Sequence, residues 1–187
     1  MAVSRSGIWG WVQALFCLLL VLPVSVQGNQ EAAKQWLVGQ IQPDGSLDSP
    51  ASKAITFQST TEATINLLDA DQGLVGALSG VTSYLDSVDA DHSAENLSRS
   101  IRTAYALGQE FGEAQDELLK RQIVGSGFGA FPGYDPDPLS TAYALETLSL
   151  LGITQGPAAY ALQYLINAQN DDGSWALAGD VGRVQTT

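Results

Sequence analysis

Gln42-Pro43-Asp44-Gly45-Ser46-Leu47 decides the reading of this chain, because it returns near the other end as Asn170-Asp171-Asp172-Gly173-Ser174-Trp175. Each copy follows an aromatic-Leu pair, Trp36-Leu37 and Tyr164-Leu165, so the blocks align without a gap at an offset of 128 residues. Weaker copies lie between them, around Asp89-Ala90-Asp91 and around Gly127-Phe128-Gly129-Ala130-Phe131. A fixed period of about forty residues is the signature of repeat architecture. The second half of each unit repeats as well. Thr103-Ala104-Tyr105-Ala106-Leu107 recurs letter for letter as Thr141-Ala142-Tyr143-Ala144-Leu145, with a looser copy at Thr61-Glu62-Ala63-Thr64-Ile65.

Each unit reads as two helices joined by a Gly/Asp turn. Ala33, Trp36, Leu37 and Ile41 follow helical spacing, and Pro43-Asp44-Gly45 stops that helix with turn chemistry. In Ser59-Thr60-Thr61-Glu62 a hydroxyl can cap the next helix. The same reading predicts helices over 74–85 and 93–111, over 114–123 and 139–151, and over 156–168. No stretch alternates like a strand, so the fold class is all-α. The helix after each turn is the more apolar of its pair: Glu146 is the only charge between Thr141 and Leu151. Helices apolar nearly all round are buried and amphipathic ones face water. This predicts two layers, with turn-following helices inside and turn-preceding helices outside. Asp44, Gly45, Gly129, Asp172, Gly173 and Trp175 are then structural residues of the turns.

Residues 1–28 stand apart. Arg5 precedes an apolar run from Ile8 to Leu22, and the Val26-Gln27-Gly28 ending suits cleavage of a secretory signal peptide after Gly28. An uncleaved N-terminal membrane anchor is the alternative, since 8–26 is about long enough to span a bilayer. Either way the protein is expected to be exported, secreted or held in a periplasm or at a cell surface. Residues 29–187 form one domain. Cys17, the only cysteine, lies in the signal, so no disulfide staples the mature chain and packing must supply its stability. The whole chain carries a formal net charge of −12, from 8 Lys+Arg and 20 Asp+Glu. Such a surface excludes nucleic acid and anionic membrane as partners. After Trp175 the chain ends at Thr187, where earlier units enter a helix. That predicts a last unit half-built and a longer parent protein, whose downstream domains are possible partners.

These blocks resemble the α/α-toroid superfamily of squalene and terpene cyclases and protein prenyltransferase β subunits. The two turn blocks are similar to the cyclases' Q-x-x-x-G-x-W repeat. Gly127-Phe128-Gly129-Ala130-Phe131-Pro132-Gly133-Tyr134-Asp135-Pro136-Asp137, followed by Leu139 and Thr141, resembles a prenyltransferase repeat. The resemblance implies an α/α toroid, complete at about six helical hairpins, of which this chain supplies a partial set of about three and a half.

Each chemistry of that superfamily makes its own demand on side chains. Prenyltransferase zinc needs Asp, Cys and His ligands, and beyond the signal the chain has His92 and no cysteine, so no metal site or cofactor is expected. Thioester chemistry fails for the same want of cysteine. Class II terpene cyclases protonate an alkene with a D-x-D-D motif set before a Thr-Ala helix. Asp135-Pro136-Asp137-Pro138 departs from it in its fourth letter, and Leu139-Ser140 intervene before Thr141. Asp89-Ala90-Asp91 starts like a calcium loop but lacks its glycine and its final glutamate. Asn96-Leu97-Ser98 is a glycosylation sequon.

Binding remains. The resemblance places a ligand cavity at the N-terminal ends of the inner helices, where Thr61, Glu62, Arg102, Tyr105, Thr141 and Tyr143 stand. The expected function is therefore a secreted, non-catalytic toroid module that binds a small ligand or an extracellular protein. The alternatives are a fragment of a terpene cyclase or prenyltransferase-like enzyme with its catalytic residues downstream, and a structural cell-surface module.

Overall fold

The computed structural model describes residues 29–47, 53–88 and 90–176. The expected signal peptide, the chain end after Ala176 and Asp89 lie outside the described residues. Two compact units divide the chain, one ending at Gln40 and the other starting at Ile41. In the first, helix α1 runs over 29–38, with Lys34 paired to Glu31 at 2.8 Å one turn away.

The second unit is all-helical among the described residues, with two isolated antiparallel bridges, Ile41 to Leu47 and Gln122 to Phe128. Its helices are α2 (Lys53–Ala70), α3 (Gly80–Ser87), α4 (Ala94–Leu107), α5 (Gly112–Leu119), α6 (Pro138–Leu150) and α7 (Pro157–Ala168), with a 3-10 turn at Gln72–Val75. The helix expected over 74–85 is thus broken in two. Asp71 caps the 3-10 turn by accepting from the Gly73 N–H, and Gly73, Gly76 and Gly80 in close succession make a continuous helix costly.

Helix α4 packs between α2 and α6, while α3 packs on α2, α5 on α4 and α7 on α6. The turn-following helices α2, α4 and α6 therefore form a row, and the turn-preceding ones lie against it. Their interface is apolar: Ala94, Leu97 and Ile101 of α4 meet Leu118, Phe128, Ala144, Leu148, Ala158 and Ala161 in one buried cluster. At about 25 cal/mol per Å² of apolar surface removed from water, this burial is the main favourable contribution to the unit's fold.

At two of the turns a threonine ties the turn to the helix after it. The buried Thr141 hydroxyl accepts from the Phe128 N–H at 2.9 Å and donates back to the Phe128 carbonyl at 3.2 Å. Thirteen residues likewise separate Leu47 from Thr60, whose hydroxyl bonds the same two groups of Leu47. Buried backbone groups at a turn need such partners, since orphaning one costs its desolvation. Thr141→Val keeps the side-chain shape and removes both bonds, so we expect a loss of about 2 kcal/mol, read as a lower urea midpoint. Thr141→Ser should recover most of it.

The caps fix how the inner helices correspond. Ser93 accepts from the Asn96 N–H and Asp137 from the Ser140 N–H, each three residues on. Fifteen residues after those caps, Gly108 and Gly152 take left-handed conformations, at φ +69° and +74°. Helices α4 and α6 therefore match at an offset of 44 residues, with Thr103 opposite Thr147. Both of those hydroxyls bond the carbonyl four residues back, at 2.8 and 2.9 Å. This corrects the sequence alignment: the identical pentapeptides from Thr103 and Thr141 sit near the end of α4 and in the first turn of α6. It also makes Thr60, not Thr61, the counterpart of Thr141.

Candidate functional site

With that correspondence, Glu62 on α2, Arg99 on α4 and Tyr143 on α6 are equivalent positions, and they touch. The Arg99 guanidinium donates to Glu62 and, at 2.7 Å, to the Tyr143 hydroxyl, and it lies over the Tyr143 ring at 5.0 Å from the centroid. It also donates twice to Glu95 one turn earlier on α4, at 3.1 and 3.0 Å. Other cross-helix pairs obey the same rule. Gln58 meets Glu95 at 3.3 Å and Arg102 meets Glu146 at 3.0 Å, again equivalent positions. Because partners ascend together on both helices, neighbouring inner helices run parallel and in register.

Charge and burial are uneven across this ladder. The Arg99 side chain is 9% exposed, whereas that of Glu62 is 43% exposed. A cation so far from water needs matched anions and hydrogen bonds, and here two carboxylates, a phenol and an aromatic face supply them. Arg102 is held between Glu146 and, at 4.0 Å, Glu62. Burial pushes the Tyr143 phenol above its ordinary range. The nearby Arg99 charge opposes this, and the Glu95 and Glu62 carboxylates add to it. Tyr143 is consequently a neutral hydrogen-bonding group.

Of the six positions the sequence points to, Glu62, Arg102 and Tyr143 are brought into this cluster. Thr61 is fully buried and its hydroxyl donates to the Phe57 and Gln58 carbonyls, both at 3.0 Å. Thr141 is spent on the turn. Tyr105 is exposed and rests edge-on against Phe111 with centroids 6.2 Å apart. Arg99 is the member that sequence reading misses. A single arginine in an amphipathic helix reads as a solvated charge, and its partners lie 37 and 44 positions away.

The acidic motifs are occupied structurally. Asp137 caps α6 at 2.8 Å from the Ser140 nitrogen, and the Tyr164 hydroxyl donates to the Pro136 carbonyl at 2.7 Å. Asp91 accepts from the Ser93 N–H and the Asn96 amide. His92 is exposed, and its carbonyl takes a bond from Arg121 at 2.9 Å. Ser98 of the sequon is fully buried. Among the described residues no three His, Cys, Asp or Glu side chains converge as a metal site. No described helix is long and apolar enough to cross a membrane.

The turn residues divide by surroundings. A Cβ on Gly129 would fall 2.4 Å from the Tyr134 carbonyl oxygen, so two backbones meet there. In both Asp-Gly-Ser turns the aspartate, Asp44 or Asp172, accepts from the backbone and hydroxyl of the serine two residues on. Trp175 donates its indole N–H to the Leu165 carbonyl at 2.8 Å while its side chain remains half exposed.

No protein-family model matches the chain. A stretch of 70 residues is 39% identical to a drimenyl diphosphate synthase from Streptantibioticus cattleyicolor. The match covers 37% of this chain and 13% of that synthase, so the chain corresponds to a small part of its relative. Together with the all-helical architecture, this partial likeness to a terpene synthase is consistent with a terpenoid-cyclase-like fold at the coarse level.

Proposed function

We propose that this chain is an exported, partial α/α-toroid module of the terpenoid-cyclase kind, which binds a small ligand at its inner-helix face without transforming it. The parallel row of α2, α4 and α6 supports the toroid, because in-register inner helices are what a closed ring of hairpins requires. The engagement of Asp137 carries the non-catalytic part. Its carboxylate is taken up as the N-cap of α6, and a carboxyl group that protonates an alkene must instead present its proton to the substrate. The ligand class follows from the ladder. Both arginines of the ladder, Arg99 and Arg102, are already matched by carboxylates, which favours an uncharged ligand with hydrogen-bonding groups there over a diphosphate.

A second reading, a segment of a terpene-cyclase-like enzyme, draws on the likeness to the drimenyl diphosphate synthase. One experiment separates the two. The full chain is incubated with linear prenyl diphosphates and magnesium, and the extract is examined for cyclised products by mass spectrometry. We expect none, from the wild type or from Asp137→Asn, a variant whose amide still caps the helix. A cyclic product that disappears in Asp137→Asn would establish the enzyme reading and sink the binding one.

A further inference from the structure

Helix α4 carries the ladder on one face and, on another, one wall of a groove of about 700 Å³. The remaining walls come from Phe57 of α2, the end of α3, the linker to α4, and α5 with the residues entering it. Its floor is apolar, formed by Phe57, Leu85, Leu97, Phe111 and Ala114. Carboxylates share the lining: Asp86 from the end of α3, Asp91 from the linker, and Glu110, Glu113 and Glu117 from α5 and the residues entering it, with no lysine or arginine among the lining residues.

These carboxylates differ from those of the ladder. Glu62, Glu95 and Glu146 are each answered by an arginine. Within the groove, Glu117 is answered by Lys120 and Arg121, and Asp91 by Ser93 and Asn96. Asp86, Glu110 and Glu113 have no ion-pair partner among the described residues. Like charges gathered over a low-dielectric floor repel one another and focus a negative potential into the groove. A visitor that lowers this energy must bring both positive charge and apolar surface. A bare polyamine would meet the first demand and leave the floor wet. A metal ion would find no three-ligand cluster among the described residues.

We propose that this groove docks a basic amphipathic segment of a partner protein, with its apolar side chains on the floor and its Lys or Arg heads on Asp86, Glu110 and Glu113. The site is separate from the inner-helix ladder and does not depend on the ligand reading above. Charge complementarity of this kind sets specificity and association rate, while the apolar contact sets residence time.

The test uses the full chain and a fluorescent helix-forming peptide of Lys and Leu, arranged with all leucines on one face. A scrambled peptide of the same composition has no such face. Two triple variants are compared, each checked for native circular dichroism: Asp86→Asn/Glu110→Gln/Glu113→Gln in the groove, and Asp69→Asn/Asp135→Asn/Asp171→Asn outside it. Both lose the same charge. We expect the groove variant to weaken binding of the amphipathic peptide by about tenfold or more and the control variant by about twofold or less. The scrambled peptide should bind the wild type about tenfold more weakly than the amphipathic one. Equal weakening in both variants, or equal binding of both peptides, would reduce the effect to net charge and overturn the proposal. Full displacement of the amphipathic peptide by spermine at equal charge concentration would overturn it in favour of a small polycation.

Discussion

Replacing Arg99 with alanine should lower the unfolding free energy by about 3 kcal/mol, the range measured when one partner of a buried ion pair is removed. The size follows from what is left behind. Without the guanidinium, Glu62 and Glu95 face each other with no cation between them, and the Tyr143 hydroxyl loses its partner. Arg102 cannot substitute, because it is held near Glu146 and only reaches Glu62 at 4.0 Å. The figure sits at the low end of the range for buried pairs because Glu62 is partly in water, where screening weakens its charge. Two further variants locate the effect. Tyr143→Phe keeps the ring under the guanidinium and should cost about 1 kcal/mol, the worth of one hydrogen bond to a charged group less its rehydration. Arg99→Met keeps most of the buried stem, so the gap between Arg99→Met and Arg99→Ala reads the packing part. Urea unfolding followed by circular dichroism measures all three. A loss below about 1 kcal/mol in Arg99→Ala would mean that the ladder is a solvated charge array rather than a buried tie across three helices.

Much of the fold is legible in the sequence, and the reasons are local. Asp44-Gly45-Ser46 and Asp172-Gly173-Ser174 spell their turns outright, because an aspartate accepting from the serine two residues on is a property of the triplet itself. The apolar run of α6 announces a helix of the central row, though Leu139 and Leu150 remain exposed, so it is not buried all round. What misleads is the exact match between the pentapeptides from Thr103 and Thr141. The two threonines have different partners: Thr141 ties a turn, while Thr103 bonds back to the carbonyl of Arg99 within its own helix. At the place equivalent to Thr141, α4 carries Leu97, so its entry lacks the tie altogether. The correct alignment was still written in the chain, as a cap and a glycine fifteen residues apart in both helices. Capping residues mark helix ends, and they hold register better than a composition-driven match inside the helix. The candidate site was legible only in part for a different reason. Glu62, Arg102 and Tyr143 stand out as polar residues of these helices, although Glu62 and Arg102 lie in mid-helix and not at the N-terminal ends the sequence reading expected. Arg99, which joins them, gains its meaning from carboxylates and a phenol on three helices, and no local pattern encodes that convergence.

Gly45→Ala and Gly173→Ala change the same letter in the same Asp-Gly-Ser turn, yet we expect their costs to differ several-fold. Both glycines have a left-handed backbone, at φ +89° and +84°, so each substitution carries the strain of an alanine in that region, about 1 kcal/mol. For Gly173 that is nearly the whole cost, because an added Cβ would meet only the end of the Gln169 side chain at 3.9 Å. For Gly45 the Cβ would lie 2.0 Å from the Gly80 carbonyl oxygen and 2.2 Å from its carbon. Those are backbone atoms at the start of α3, which no rotamer change can move. Relief requires the turn to lift away from α3. The neighbouring Leu47 is buried and its backbone is tied to Thr60, so lifting the turn disturbs a second, already satisfied contact. Overpacking of this kind adds about 2–3 kcal/mol to the backbone strain, for a total of about 3–4 kcal/mol. Urea midpoints should therefore fall far more in Gly45→Ala than in Gly173→Ala, with the slope of the transition unchanged if the turn is lost together with the rest of its unit. Equal midpoints in the two variants would show that the Gly45 turn does not rest against α3 in solution. A smaller slope in Gly45→Ala alone would show that the α2–α3 end unfolds separately from the α4–α6 core.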